Sequence, residues 1–273
     1  MNLLLIDAGH AKNTPGKNNA KENFYEWEFN NYMQYKVKKR AEDHGIYVFL
    51  SNPNPEKISD IGLTQRANSM SNHYVSKGKP KSLMISIHAN AYNNTSARGT
   101  ETYVASNASQ SSKIAAKYIQ GEIFKCIKNL DSNAKDRGVK KEDFTVIYKT
   151  IAPCCLIEYA FYSNISDLKI LKNNRDELVE ATIKGICKYF EIEYKPINNT
   201  NNYGIKVYDF KTKENALLFS KKMTTIENAY NEVHKNNDKW CVKIESFSTK
   251  ESVLNFSNKL KQKYNAWNEI YNI

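Results

Sequence analysis

Two histidines sit where an α/β sheet can put them to use. His10 ends the run Asp7-Ala8-Gly9-His10, just past a short apolar segment. His88 lies in Ser86-Ile87-His88-Ala89-Asn90, at the end of another. In an open α/β sheet, ligands gather beyond the carboxyl ends of the strands. Two imidazoles delivered there can share a metal, and a third protein ligand completes a catalytic site that keeps one position open for water. Glu26 leads for the third place, at the start of the first long helical segment, with Glu28 as its rival. The other histidines are poorer donors to such a site. His44 stands near a helix end, His73 in a polar helix and His234 in a C-terminal repeat. A thiol nucleophile would be a different chemistry, and it needs a positioned base. Cys154 and Cys155 are adjacent in an apolar run, which reads as inert, buried thiols. No CxxC spacing offers sulfur ligands to zinc.

These residues need a frame. Residues 1–192 alternate strand-like and helix-like segments. Strands are expected at 3–7, 46–50, 83–88, 99–105, 146–148 and 154–159, and helices at 26–43, 64–76, 108–129 and 176–191. The third helix carries Ile114, Tyr118, Ile119, Ile123, Phe124 and Ile127 at helical spacing. A Pro/Asn turn is expected at 52–55. Strands separated by long helices predict a mostly parallel sheet with helices on both faces.

Residues 1–194 thus form one expected domain, 195–202 a polar linker and 203–273 a second domain. The second contains a repeat. YGIKVYDF (203–210) matches WCVKIESF (240–247), and TKENALLFSKKM (212–223) matches TKESVLNFSNKL (249–260), both at an offset of 37. Lys206/Lys243, Phe210/Phe247, Thr212/Thr249, Phe219/Phe256 and Ser220/Ser257 coincide. Each unit reads as a strand, a Ser/Thr-capped turn and an amphipathic helix, so two units predict a small α+β domain.

Composition narrows the function. The chain has 273 residues, 41% apolar and 25% charged, with 40 Lys and Arg against 29 Asp and Glu. Five scattered cysteines write no disulfide framework, and no apolar stretch is long enough to span a membrane. Disordered, collagenous, disulfide-stapled and membrane-inserted classes are excluded. The net charge of +11 points to an anionic partner. It is spread over both halves without a run of five or six like charges, and the aromatics fall mainly at core-like positions. A nucleic-acid platform is therefore unsupported. Asn is about one residue in eight and Lys far outnumbers Arg, the mark of an AT-rich coding sequence. The chain opens directly into a strand with no charged leader, so it is read as made in the cytoplasm without a signal peptide.

The motifs also carry a resemblance. IDAGH (6–10), EWEFN (26–30), LTQRANS (63–69), SIHAN (86–90), GTETY (99–103), RGV (137–139) and IEYAFYSN (157–164) follow the order found in zinc-dependent N-acetylmuramoyl-L-alanine amidases of the amidase-3 type. The resemblance covers residues 1–192. It implies zinc held by His10, Glu26 and His88. The family spacing of Glu, three residues, then Asn selects Glu26 over Glu28, because Asn30 follows at the right distance. It also implies Glu158 as the catalytic carboxylate. Zinc and a basic carboxylate suit amide hydrolysis, since neutral water hardly attacks an amide. Asn90 and Arg137 are the candidates for substrate binding: Arg137 could bind a substrate carboxylate or brace a loop, and Asn90 could orient a ligand or substrate or serve only its loop. The departures are Ala8, Tyr159 and Ala160, where the family commonly has Pro, Thr/Ser and Gly. Tyr159 is expected to reshape the cleft near Glu158.

The C-terminal segment WCVKIESFSTKESVLNFSNKLK is similar to the SPOR-type peptidoglycan-binding fold. The combined expectation is a peptidoglycan hydrolase with a wall-binding domain, like a phage endolysin of a low-GC Gram-positive, clostridial-type host. It would reach the wall by holin action or host lysis. A sporulation autolysin is the alternative within this chemistry, and a non-catalytic wall-binding protein the alternative outside it.

Overall fold

The computed structural model describes all residues except 54–59, 198–202, 228, 230, 237, 248, 249 and 273. Residues 54–55 of the expected turn, 198–202 of the expected linker and the cap Thr249 lie outside the described residues. The chain divides into two compact units, Met1–Lys195 and Pro196–Ile273.

In the first unit the strands are β1 (Leu3–Ala8), β2 (Asn18–Asn19), β3 (Phe24–Tyr25), β4 (Tyr47–Leu50), β5 (Ser82–Asn90), β6 (Thr100–Val104), β7 (Asp136–Lys141) and β8 (Cys154–Phe161). The helices are α1 (Glu26–Asp43), α2 (Leu63–Ser76), α3 (Gln110–Leu130), α4 (Thr145–Lys149), α5 (Ile165–Asn173) and α6 (Arg175–Phe190). Six strands form one sheet in the order β4-β1-β5-β8-β6-β7. Its pairs are parallel except β6 with β8. The mostly parallel, helix-flanked sheet is as expected.

Such a sheet must be apolar on both sides. Leu3, Leu5, Met84 and Leu156 pack with Met70 of α2 and with Val146 and Ile147 of α4. The alternate residues face α1, α3 and α6, as where Tyr159 meets Phe29 and Thr182.

Three details differ from the sequence reading. Residues 146–148 are helical, not a strand, because Val146 and Ile147 are consecutive and both enter the core. Strand alternation would turn one of them to the opposite side, away from that cluster. In α3 the buried stripe is Ala115, Ala116, Ile119, Ile123 and Ile127, while Ile114 and Tyr118 are exposed. Finally β7, α5 and the small β2–β3 pair had no clear apolar period to announce them.

The second unit runs β9 (Tyr203–Phe210), α7 (Lys213–Glu227), β10 (Asn231–Asn236), β11 (Lys239–Phe247), α8 (Lys250–Tyr264) and β12 (Asn268–Asn272). Each repeat is therefore strand–helix–strand, one strand more than expected, and the offset of 37 holds through the third element. The sheet order β10-β11-β9-β12 is antiparallel throughout. Each repeat's last strand pairs with the other repeat's first, and Lys206 pairs with its own counterpart Lys243. Phe210–Phe219 and Phe247–Phe256 repeat the same contact, with ring centroids 5.3 Å apart and planes at 47°. Thr212 caps α7 by accepting from the Asn215 N–H at 3.2 Å. No described helix is long and apolar enough to cross a membrane.

Candidate active site

Three elements deliver the groups a metal could use. His10 lies two residues past the end of β1, His88 is third from the end of β5, and Glu26 opens α1. One ligand atom from each lies within 4.8 Å of the others. Glu26 Oε1 is 3.4 Å from His10 Nε2 and 3.1 Å from His88 Nδ1. It also accepts the Ala89 N–H at 3.1 Å. Burial pushes the Glu26 carboxyl up, but hydrogen bonds and charge from His10 and His88 outweigh it and bring it down to about 2. An acid at a helix N-terminus gains further from the dipole.

The local sequence explains the convergence. A Cβ on Gly9 would fall 2.0 Å from the His88 imidazole, so only glycine lets that ring lie against the turn. His10 has φ of +63°, a left-handed conformation that a non-glycine residue adopts at some cost. Asn30, one turn beyond Glu26 on the same face of α1, is buried and donates to the Gly9 carbonyl at 2.9 Å. The Glu-x3-Asn spacing thus clamps the His10 turn to the helix that supplies Glu26.

Behind the ligands lies a charged network. Asp7 is fully buried and accepts from Arg66 Nη1 at 2.9 and 3.0 Å, from Ser51 at 2.6 Å and from Ser86 at 2.8 Å. Burial raises the Asp7 carboxyl, and Arg66 with the two hydroxyls more than offsets it, so it stays below the usual range. Arg66 also donates to the Ala8 carbonyl at 3.1 Å. The backbone entering the His10 turn is fixed by these bonds, and Asn52 donates to the Ala8 and His10 carbonyls at 3.3 Å each.

Glu158 stands in register between His88 of β5 and Glu101 of β6. It shares a cavity of about 380 Å³ with His10, Glu26, His88, Lys17 and Asn90. Its Oε2 is buried and takes no hydrogen bond from any described residue. Burial, then the charges of Glu26 and Glu101, push this carboxyl well above the usual range, with Lys17 pulling the other way. A protonatable oxygen without a partner, on a residue that lines the cavity beside a ligand triad, can carry a proton for a reaction there.

The structure thus brings His10, Glu26, His88 and Glu158 together. Glu28 instead lines a separate cavity with Phe24 and Arg175. Asn90 lines the main cavity and donates to Glu101 at 2.6 Å. Arg137 donates from Nε to Glu101 at 2.6 Å and lies over the Phe161 ring. Tyr159 does not shape the cleft. Strand alternation turns it to the opposite face from Glu158, where it is fully buried and its hydroxyl lies 2.6 Å from Thr182 Oγ1. Cys154 and Cys155 are buried with thiols pushed up by desolvation, Cys154 to about 12. His44 binds the Arg40 carbonyl, and His73 stacks on Phe49. Sequence reasoning missed Lys17, Arg66, Asp7 and Glu101. The signals were present: an Asp inside an apolar strand, and rare arginines in a lysine-rich chain.

A mostly parallel sheet presenting His, Glu and His beside an unpaired carboxyl is an arrangement that fits metal-dependent hydrolases. Residues 4–188 match the amidase-3 family, described as N-acetylmuramoyl-L-alanine amidase, and the chain belongs to that family. It is 31% identical over 190 residues to the N-acetylmuramoyl-L-alanine amidase LytC of Bacillus subtilis, covering 68% of this chain and 35% of LytC. The chain therefore spans about a third of that relative. Among solved structures, the catalytic domain of the CwlV amidase of Paenibacillus polymyxa superposes with a TM-score of 0.60 at 25% identity, over 71% of this chain and all of that one. The N-acetylmuramoyl-L-alanine amidase of Clostridium difficile 630 gives 0.60 at 27% identity, over 69% and 96%.

Proposed function

We propose that this chain hydrolyses the amide between N-acetylmuramic acid and L-alanine in peptidoglycan, with zinc held by His10, Glu26 and His88. The observation that carries the reading is the buried, unpartnered Glu158 Oε2 in the same cavity as three ligand atoms within 4.8 Å. The donor set fits zinc: two imidazole nitrogens and one carboxylate oxygen form a three-ligand set of the kind catalytic zinc uses. When bound, zinc lowers the pKa of water toward about 7 and polarises a carbonyl oxygen.

The chain's own residues supply the rest. Glu158 takes a proton from water at its free oxygen and returns it to the departing alanine nitrogen, without which the amine is a poor leaving group. A carboxyl raised by burial suits both directions of that transfer. Asn30 and Arg66 hold the His10 turn while this happens. Asn90 and Arg137 are proposed on the substrate side.

Digestion of purified peptidoglycan tests the reaction. New L-alanine amino termini without new reducing ends are expected. Reducing ends instead would mark a glycosidase. Metal analysis should find about one zinc per chain, as a single three-ligand site requires.

We further propose that residues 203–273 hold the enzyme on the wall, raising its effective concentration there. Trp267 supports this, being 62% exposed with its ring 5.2 Å from Tyr208, a surface on which sugar rings can stack. Tyr203 and Trp240 do not add to it, since both pack against the core. The full chain carrying Glu158→Ala should sediment with purified walls, and a chain ended at Lys195 should not. Equal sedimentation rejects the binding role. The AT-rich composition and the catalytic-plus-binding layout support a phage endolysin of a low-GC Gram-positive host as the setting.

A further inference from the structure

Glu101 is a buried carboxylate with four donors. Oε1 accepts from Asn90 at 2.6 Å and from the Tyr103 hydroxyl at 2.9 Å. Oε2 accepts from Arg137 Nε at 2.6 Å and from Lys140. Two cations thus share one anion, which leaves one positive charge in surplus. Their side chains are 34% and 36% exposed, so the surplus faces solvent. Arg137 uses only Nε, and its terminal nitrogens have no hydrogen bond among the described residues.

The backbone is shaped to bring the two cations together. Residues three apart in a regular strand point to opposite faces. Here the β6–β7 register slips between Thr100/Asp136 and Thr102/Val139, and Gly138 has φ of +74°. This bulge puts an extra residue opposite Glu101 and swings Arg137 and Lys140 onto one side.

The position relates this pair to the chemistry. Glu101 lies directly across from Glu158, and β7 is one strand further. Two strand spacings put the cations roughly 10 Å from Glu158, and an extended peptide advances roughly 3.3 Å per residue. A peptide leaving the reacting bond reaches them at its second or third residue.

We infer that Arg137 and Lys140, held by Glu101, form a subsite for a free carboxylate of the stem peptide. Glu101 is the positioning residue, and the guanidinium fork and ammonium are the recognition groups. This rests on the amidase reading above.

The test compares a muramyl peptide with all stem carboxylates free against the same compound fully amidated, cleaved by the full chain. The wild type should favour the free-acid form by about tenfold or more in kcat/KM, mainly through KM, as a charge-assisted contact implies. Arg137→Gln and Lys140→Gln should each bring the ratio close to one, because Glu101 then cancels the remaining cation. Arg137→Lys should keep a preference. Lys141→Gln makes the same charge change at an exposed site on the other side of β7 and should leave the ratio intact. Equal cleavage by the wild type, a preference surviving both Gln variants, or a ratio lowered equally by Lys141→Gln each overturns the inference while the amidase reading stands. Failure to cleave either compound overturns both.

Discussion

All five arginines lie in the first unit, and each is matched to a partner. Arg40 pairs with Glu180, Arg66 with Asp7, Arg98 with Asp131 and Asp167, Arg137 with Glu101, and Arg175 stacks on Tyr32. The second unit has lysine alone. Buried polar residues divide the same way. The first unit buries Asp7, Glu26, Arg66, Glu101 and Asp167, whereas the buried polar residues described in the second are Ser257 and Asn268, bonded to each other at 2.6 Å. The second unit is also the symmetric one. Asn231 and Asn268, equivalent in the two repeats, donate to the carbonyls of the equivalent Ser220 and Ser257. The charge the second unit does bury is the Glu227 side chain, 3% exposed and held by half-exposed lysines where the repeats meet. The first unit carries buried charge where three strand ends and a helix must aim ligands at one point. Desolvating a charge costs stability unless it is fully paired, and here Asp7 is paired with Arg66, Asp167 with Arg98, and Glu101 with Arg137 and Lys140.

The contrast can be broken most directly at Glu158. Its removal should lower kcat by roughly 10²–10⁴-fold while zinc content holds. Its oxygen has no partner to lose, so thermal stability should stay level or rise. A large drop in melting temperature would show that Glu158 serves the fold instead. Arg66→Ala should do the opposite, costing about 3–5 kcal/mol by stranding a buried Asp7, read by urea unfolding. Next comes Gly9→Ala. The methyl displaces the His88 ring, and a disturbed ligand orientation should weaken zinc affinity by roughly 10–100-fold, measured by competition with a chromogenic chelator. An unchanged affinity would mean the turn yields more easily than its tight contacts suggest.

His10 and His88 were legible because each stands at the end of an apolar run that fixes where its strand ends, whereas Glu158 and the choice of Glu26 over Glu28 came from the motif resemblance. The support behind them was not. Asp7 and Arg66 are 59 residues apart, and nothing local ties one to the other. The β7 bulge was hidden because its effect is a change of face, which a period-2 reading of DRGVKK gets wrong. α4 failed for the related reason that a three-residue apolar run fits a strand or a helical turn equally well. In the second unit the 37-residue offset exposed β9, α7, β11 and α8. β10 and β12, as NEVHKN and NEIYN, have too few apolar residues to stand out.

The smallest effect is expected where the second unit does concentrate charge. Glu227, the last residue of α7, accepts from Lys263 at 2.9 Å, from Tyr264 at 2.6 Å and from Lys259. Tyr264 is its own counterpart in the other repeat, so the bond joins the repeats. Burial raises the Glu227 carboxyl, but the bonds from Lys259, Tyr264 and Lys263 bring it down to about 2 from an ordinary 4.5. A depressed folded value means the group stabilises the fold above its ordinary pKa and loses that contribution as pH falls toward 2. The Glu227 side chain is 3% exposed but its two lysines are 47% and 51% exposed, so solvent and salt screen the cluster and its worth near neutrality should be about 1 kcal/mol. In a Trp27→Phe chain the remaining tryptophans, Trp240 and Trp267, both report on the second unit. Their urea midpoint should decline gently between about pH 5 and 2, and Glu227→Gln should flatten that decline. A steep decline, or one that survives the substitution, would mean that the second unit depends on buried charge as the first does.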